Sequence, residues 1–173
     1  MTETHQLLGK ILVDLGVIGM GQVQAALAEQ RRMGGRIGEI LVAKETITSE
    51  DLSRALAIQQ GLDWVPAADL RPEEDAVSLL DGGTARAFGA LPLSQSNGVL
   101  RVAIADPDTL PLLSDLESIS GCRVEPVLAA PEALLEAVEN AYRAVTEAKA
   151  AAEVEASEAA PIVRLLESIL SRA

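Results

Sequence analysis

A 24-residue segment occurs twice, and this repeat constrains the fold more than any other feature of the chain. Residues 7–30 read LLGKILVDLGVIGMGQVQAALAEQ, and residues 36–59 read RIGEILVAKETITSEDLSRALAIQ. A shift of 29 positions aligns Leu8 with Ile37, Gly9 with Gly38, Ile11 with Ile40, Leu12 with Leu41, Val13 with Val42, Ile18 with Ile47, Ala26 with Ala55, Leu27 with Leu56 and Gln30 with Gln59. Five residues, 31–35, join the copies. Two copies of a helical hairpin can bury a shared apolar face against each other. That packing accounts for the repeated Leu, Ile and Val. It does not account for a polar Gln at the same end of both copies. A pseudo-symmetric surface also suits a ligand with two similar halves.

Each copy reads as a short helix, a turn and a longer helix. In the first, Gly16, Gly19 and Gly21 mark the turn before a helix over 22–33. In the second, Ile37, Ile40 and Leu41 fall at helical spacing. Thr48 or Ser49 then caps a helix that runs to Gln60, with Glu50 and Asp51 in its first turn. Leu52, Ala55, Leu56 and Gln59 share one face, and Gly61 ends that helix.

The pattern changes after Gly61. Residues 63–70, with Pro66, read as an irregular connector, and 72–80 and 84–88 as short helices. Asn97-Gly98 between two apolar runs predicts a hairpin, with strands near 90–94 and 99–105. Asp106-Pro107 stops the second strand. A helix over 110–119, a strand over 123–128 and a helix opened by Pro131 and ending near Arg143 follow. Strand, helix and strand in this order call for a crossover and a small sheet covered by helices. Residues 145–160 are rich in Ala and Glu with no core-forming period, and read as a linker, either mobile or helical in part. Residues 161–173 carry Ile162, Leu165, Leu166, Ile169 and Leu170 in one amphipathic stripe.

Charge and composition exclude several function classes. A net charge of −12 opposes nucleic-acid polymers and anionic membranes. No uninterrupted apolar window is long enough for direct membrane insertion, and the start MTETHQ lacks the positive flank of a signal peptide, so a cytoplasmic location is expected. The single Cys122 excludes an intramolecular disulfide framework and reads as a buried apolar residue. Lys10, Lys44 and Lys149 are the only lysines, and none precedes Ser or Thr, so there is no Walker A loop. His5 is the one histidine. No metal-ligand spacing and no catalytic constellation appear, and the chain is read as non-enzymatic.

Binding groups remain. Gly9 and Gly38 allow close approach of a ligand or of a neighbouring backbone. Arg36 can make bidentate contacts to a phosphate or a purine edge. Gln30 and Gln59 either hydrogen-bond base edges or end their helices as exposed residues.

The doubled motif Arg-Leu-Gly-x-x-Leu-Val-x-x-Gly-x-Ile-x4-Leu-x3-Leu-x2-Gln with a five-residue spacer resembles the MshEN domain. That domain stands at the N-terminus of type II secretion and type IV pilus assembly ATPases. The resemblance continues through Leu91-Pro92-Leu93, LRVAIADP at 100–107, and residues 121–127. It also covers the tail, which is similar to the segment leading into an ATPase region. It implies cyclic di-GMP as a regulatory ligand, with no cofactor required. The positions that match the family's motif are Leu8, Gly9, Leu27 and Gln30 in the first copy. In the second they are Arg36, Ile37, Gly38, Leu52, Leu56 and Gln59. Asp106 matches an acidic residue that contacts guanine in binders; it reads equally as a helix cap. Leu7 stands where the motif has Arg, His5 where binders carry a further Arg, and Glu45 where the motif has Gly.

The expected fold class is α+β. A helical subdomain spans 1–61, and a small α/β subdomain with a three-stranded mixed sheet spans 62–144. The linker and the C-terminal amphipathic helix follow. Two functions stand open: a regulatory and docking module with a partly degenerate cyclic di-GMP site, or a nucleotide-free protein-interaction module. The resemblance implies partners in a secretion or pilus machine at the inner membrane and an ATPase domain in cis or trans. The apolar tail allows self-association.

Overall fold

The computed structural model describes residues 3–170, and the side chains of residues 8–157. The side chains of His5 and Leu7, and the apolar stripe of residues 161–173, lie outside the described residues. Met1–Val138 and Glu139–Ala173 form two compact units.

Four helices open the first unit: α1 (Glu3–Asp14), α2 (Met20–Met33), α3 (Ile37–Ala43) and α4 (Ser49–Gln60). The two hairpins close in the same way. Gly16 N–H donates to the Val13 carbonyl and Val17 N–H to that of Leu12, at 2.9 and 3.0 Å; Glu45 N–H donates to Val42 and Thr46 N–H to Leu41, at 2.8 and 2.9 Å. Both are Schellman closures, which need a left-handed residue at the helix end. Gly16 supplies it at φ 72°, and Glu45 at φ 52°. A side chain in that region is strained by about 1–2 kcal/mol, whereas Gly adopts it freely. Glu45→Gly is therefore expected to stabilise the chain by about 0.5–1 kcal/mol, after Gly's own loss of entropy. The midpoint of urea unfolding at unchanged slope measures this; a lower midpoint would contradict it.

Thr48 caps α4. Its Oγ1 accepts from Asp51 N–H at 3.1 Å, while Asp51 Oδ2 accepts from Thr48 N–H at 3.0 Å, a reciprocal capping box. Leu8, Leu12, Ile18, Val23, Ala26, Ile37, Leu41, Ile47 and Ala55 form the core of the helical layer.

After α4 come β1 (Asp63–Trp64), a 3-10 turn at Ala67–Asp69, α5 (Glu74–Val77) and α6 (Gly82–Phe88). Then β2 (Ala90–Ser96) and β3 (Val99–Ile104) form the hairpin, with Asn97 at φ 51° and Gly98 at φ 77°. Two positive φ values are what a primed two-residue turn requires. A 3-10 stretch (Pro107–Leu112), α7 (Leu113–Ser120) and β4 (Arg123–Leu128) complete the crossover.

The sheet is mixed and has four strands in the order β1-β4-β3-β2, not the three expected. The added strand is Asp63–Trp64, in the segment read as irregular. It pairs parallel to β4, Asp63 with Val127 and Trp64 with Leu128. Two residues carry no alternation to read; the free edge of β4 makes them a strand. One sheet face carries Leu100, Val102, Ile104, Val124 and Leu128, packed with Leu116 of α7 and Ala57 of α4. Ser53, buried in α4, donates to the Ala129 carbonyl at 3.2 Å and ties the helical layer to the end of β4.

Helix α8 runs from Pro131 to Leu170. It does not end near Arg143, and residues 145–160 are helical throughout. Ala, Glu and Lys are strong helix formers, and no Gly or Pro interrupts before Pro161. The tail residues up to Leu170 continue this helix rather than forming a separate one. In the second unit, Thr146 Oγ1 donates to the Tyr142 carbonyl at 2.8 Å. No helix among the described residues is long and apolar enough to cross a membrane.

Candidate functional site

Arg36 is placed by the loop between the two hairpins. Gly34 and Gly35, at φ 76° and 90°, turn the chain out of α2, and Arg36 becomes the N-cap of α3. The loop is closed by Gln30. Its carbonyl accepts from Gly34 N–H at 2.8 Å, and its side-chain Nε2 donates to the Gly35 carbonyl at 2.8 Å.

The guanidinium of Arg36 reaches the turn after β3. Nη1 donates to Asp106 Oδ2 at 3.1 Å, and Nη2 donates to Asp108 Oδ2. Asp108, then Asp106, raises the Arg36 pKa further above its ordinary value. Asp106 is also a cap: its Oδ1 accepts from Asp108 N–H at 2.9 Å and starts the 3-10 stretch. Asp106 is thus a cap with one carboxylate oxygen on the backbone and the other on Arg36.

Beside this pair lies a cavity of about 670 Å3, within the range of small-molecule sites. Its apolar wall is Leu8, Val42, Leu52, Leu56 and Pro107; Gln59 and Gln60 stand at one end and Pro131 and Glu132 at another. Leu52, Leu56 and Gln59 come together because α4 repeats every 3.6 residues. Leu56 packs against both the helical core and the sheet core, so the wall is anchored on both sides. Glu132 Oε1 accepts from Ser49 Oγ at 3.0 Å. Among the described lining residues Arg36 is the one cation, against the carboxylates of Glu39, Asp106, Asp108 and Glu132.

Leu8, Arg36, Gly38, Leu52, Leu56, Gln59 and Asp106 of the expected set line this cavity. Gly9, Leu27, Gln30 and Ile37 are not among the lining residues. Ile37 is fully buried in the helical core, and Leu27 packs against that core. Gly9 and Gly38 do equivalent packing. A Cβ on Gly9 would meet Val23 Cγ1 at 2.7 Å, and one on Gly38 would meet Leu52 Cδ1 at 2.6 Å. The close approach these glycines allow is to the next helix of their own hairpin. Asp108 and Glu132 are cavity residues that sequence reasoning missed. The Asp-Pro-Asp run at 106–108 was the available signal for Asp108; nothing local pointed to Glu132. Among the described residues no group of His, Cys, Asp and Glu is arranged to hold a metal.

The MshEN domain family matches residues 60–148, about half of the chain and including β3, β4 and the Asp106 turn. The chain belongs to the MshEN domain family. A type IV pilus assembly ATPase, PilB of Myxococcus xanthus, is 30% identical over 135 residues; this is 78% of the chain but 24% of that protein. PilB of Thermus thermophilus is 37% identical over 101 residues, 58% of the chain and 11% of that protein. The chain therefore spans a quarter or less of these relatives. The solved structure of MshE with cdg superposes at a TM-score of 0.63 and 29% identity, covering 78% of this chain and 98% of that one. The N-terminal domain of XpsE shares the fold, at a TM-score of 0.57 and 17% identity over 80% of this chain and 96% of that one. The chain is thus an MshEN domain, similar to a part of the type IV pilus assembly ATPases PilB.

Proposed function

We propose that this MshEN domain is a regulatory and docking module whose cavity binds cyclic di-GMP through its second motif copy. One observation carries the reading. Arg36, Leu52, Leu56 and Gln59 line the same cavity as Asp106, which comes from a distant part of the chain. Arg36 meets a phosphate with its planar fork. The Asp106 carboxylate accepts from the N1–H and N2–H edge of guanine. Leu52 and Leu56 give apolar area to a base, and Gln59 stands at the cavity's end. The similarity to MshE, solved with cdg, supports the choice of ligand.

The site is degenerate on its first half: Leu7 and His5 stand where arginines are expected, and Gln30 is engaged by its own loop. Regulation is exerted on an ATPase domain in cis or trans, and the chain itself is non-catalytic. It works in the cytoplasm, at the inner membrane through its partners. Calorimetric titration with cyclic di-GMP is the test. Saturable 1:1 binding is expected, and its absence at millimolar ligand would remove this reading. The rim of four carboxylates favours a second reading, a nucleotide-free interaction module, which that negative result would leave standing.

A further inference from the structure

The cavity wall carries a residue that no motif position covers. Asp108 lies two residues beyond Asp106, is exposed, and its Oδ2 accepts from Arg36 Nη2. Asp106 takes the other terminal nitrogen at 3.1 Å. Both outer nitrogens of the guanidinium fork, the pair that would grip a phosphate or a purine edge, are therefore occupied by carboxylates of the chain. The Asp106 cap on Asp108 N–H at 2.9 Å and the intervening Pro107 hold the two carboxylates together on one turn. A third carboxylate, Glu39, lines the same cavity and has no bond to Arg36 among those described.

We infer that Asp108 is an internal competitor for Arg36, lowering the affinity of the cavity for phosphate-bearing ligands; this rests on the ligand reading above. A phosphate that takes both terminal nitrogens of Arg36 at once competes with the two carboxylates for them. Asp106 has a second use, on a guanine edge, once Arg36 turns away. Asp108 has none: displaced, it stays at the rim as a negative charge beside a phosphate. It therefore opposes binding twice, by occupying the fork and by repelling the ligand. Charge-assisted pairing explains the first effect and like-charge proximity the second. The binding strength of this site is set by its sequence at 108 as well as by the motif.

Affinity for cyclic di-GMP is to be measured at one fixed, low ionic strength, since salt screens exposed charges. The chains compared are the unaltered protein, Asp108→Asn, Glu39→Gln, Arg36→Ala and the Arg36→Ala/Asp108→Asn double variant. Asn keeps the shape of Asp and removes its charge. The expected result is about three- to tenfold tighter binding by Asp108→Asn, from release of an exposed ion pair and of one repulsion. Glu39→Gln should gain less, because it removes charge without freeing Arg36. The double variant should bind no more tightly than Arg36→Ala alone, because the gain acts through Arg36. Equal or weaker binding by Asp108→Asn overturns the inference and leaves the ligand reading intact. So does an equal gain from Glu39→Gln, or a gain that persists without Arg36. Absence of binding by both the unaltered chain and Asp108→Asn overturns the ligand reading and the competitor with it.

Discussion

Replacing Arg36 by Ala should weaken cyclic di-GMP binding by about tenfold to a hundredfold or more. Arg36 is the one cation among the described residues of the cavity wall, which also carries the carboxylates of Glu39, Asp106, Asp108 and Glu132. A charge-assisted contact to a phosphate contributes about 1.5–3 kcal/mol, and about 1.4 kcal/mol corresponds to a tenfold change in affinity. With Leu7 in place of the first-copy arginine, no equivalent contact from that motif position compensates. Arg36→Lys should fall between, because a point charge replaces a planar fork. The same substitution should scarcely change stability. Arg36 and its partners Asp106 and Asp108 are each about half exposed or more, and exposed ion pairs contribute at most about 1 kcal/mol. Calorimetry and thermal unfolding on the same samples separate the two effects. Undiminished binding by a folded Arg36→Ala protein would show that the phosphate is held elsewhere.

Leu41→Ala should lower stability by about 2–5 kcal/mol, the range for emptying a close-packed leucine site. Leu41 is 1% exposed and sits in the helical core with Leu12, its counterpart in the first copy, at 0%. Both leucines also supply the carbonyl that accepts the longer bond of each Schellman closure, so their backbone is fixed and cannot easily collapse into the space. In a chain of this length the loss corresponds to a fall in Tm of about 5–15 °C. Leu12→Ala should cost a similar amount. A Tm within about 2 °C of the unaltered chain for either variant would contradict the packing described.

The features that sequence determined by itself are those encoded within a few residues. Thr48 and Asp51 stand at the spacing of a capping box, and they form one. Asn97-Gly98 permits two successive positive φ values, and the hairpin turns there. Val124, Val127 and Leu128 lie in the stretch between Gly121 and Pro131, and β4 occupies Arg123–Leu128 as expected. In each case the interacting groups are neighbours along the chain, so composition and spacing carry the information.

Tertiary structure decided the rest. Asp63–Trp64 is a strand because β4 offers it an edge, not because two residues prefer to be extended. The helix through residues 145–160 is the exception: with no core-forming period it rests on local helix propensity, which the sequence already held. Gly9 and Gly38 were legible as sites of close approach, but only the packed hairpins show that Val23 and Leu52 are what approaches. The pairing of Arg36 with Asp106 and Asp108 spans 70 and 72 residues. Nothing local in either segment specifies it. It exists because the loop of Gly34 and Gly35 aims the arginine outward and the end of β3 delivers the Asp-Pro-Asp turn to the same side of the cavity. A contact of that range depends on the register of a sheet and the packing of α4 against it, and those are properties of the whole folded layer.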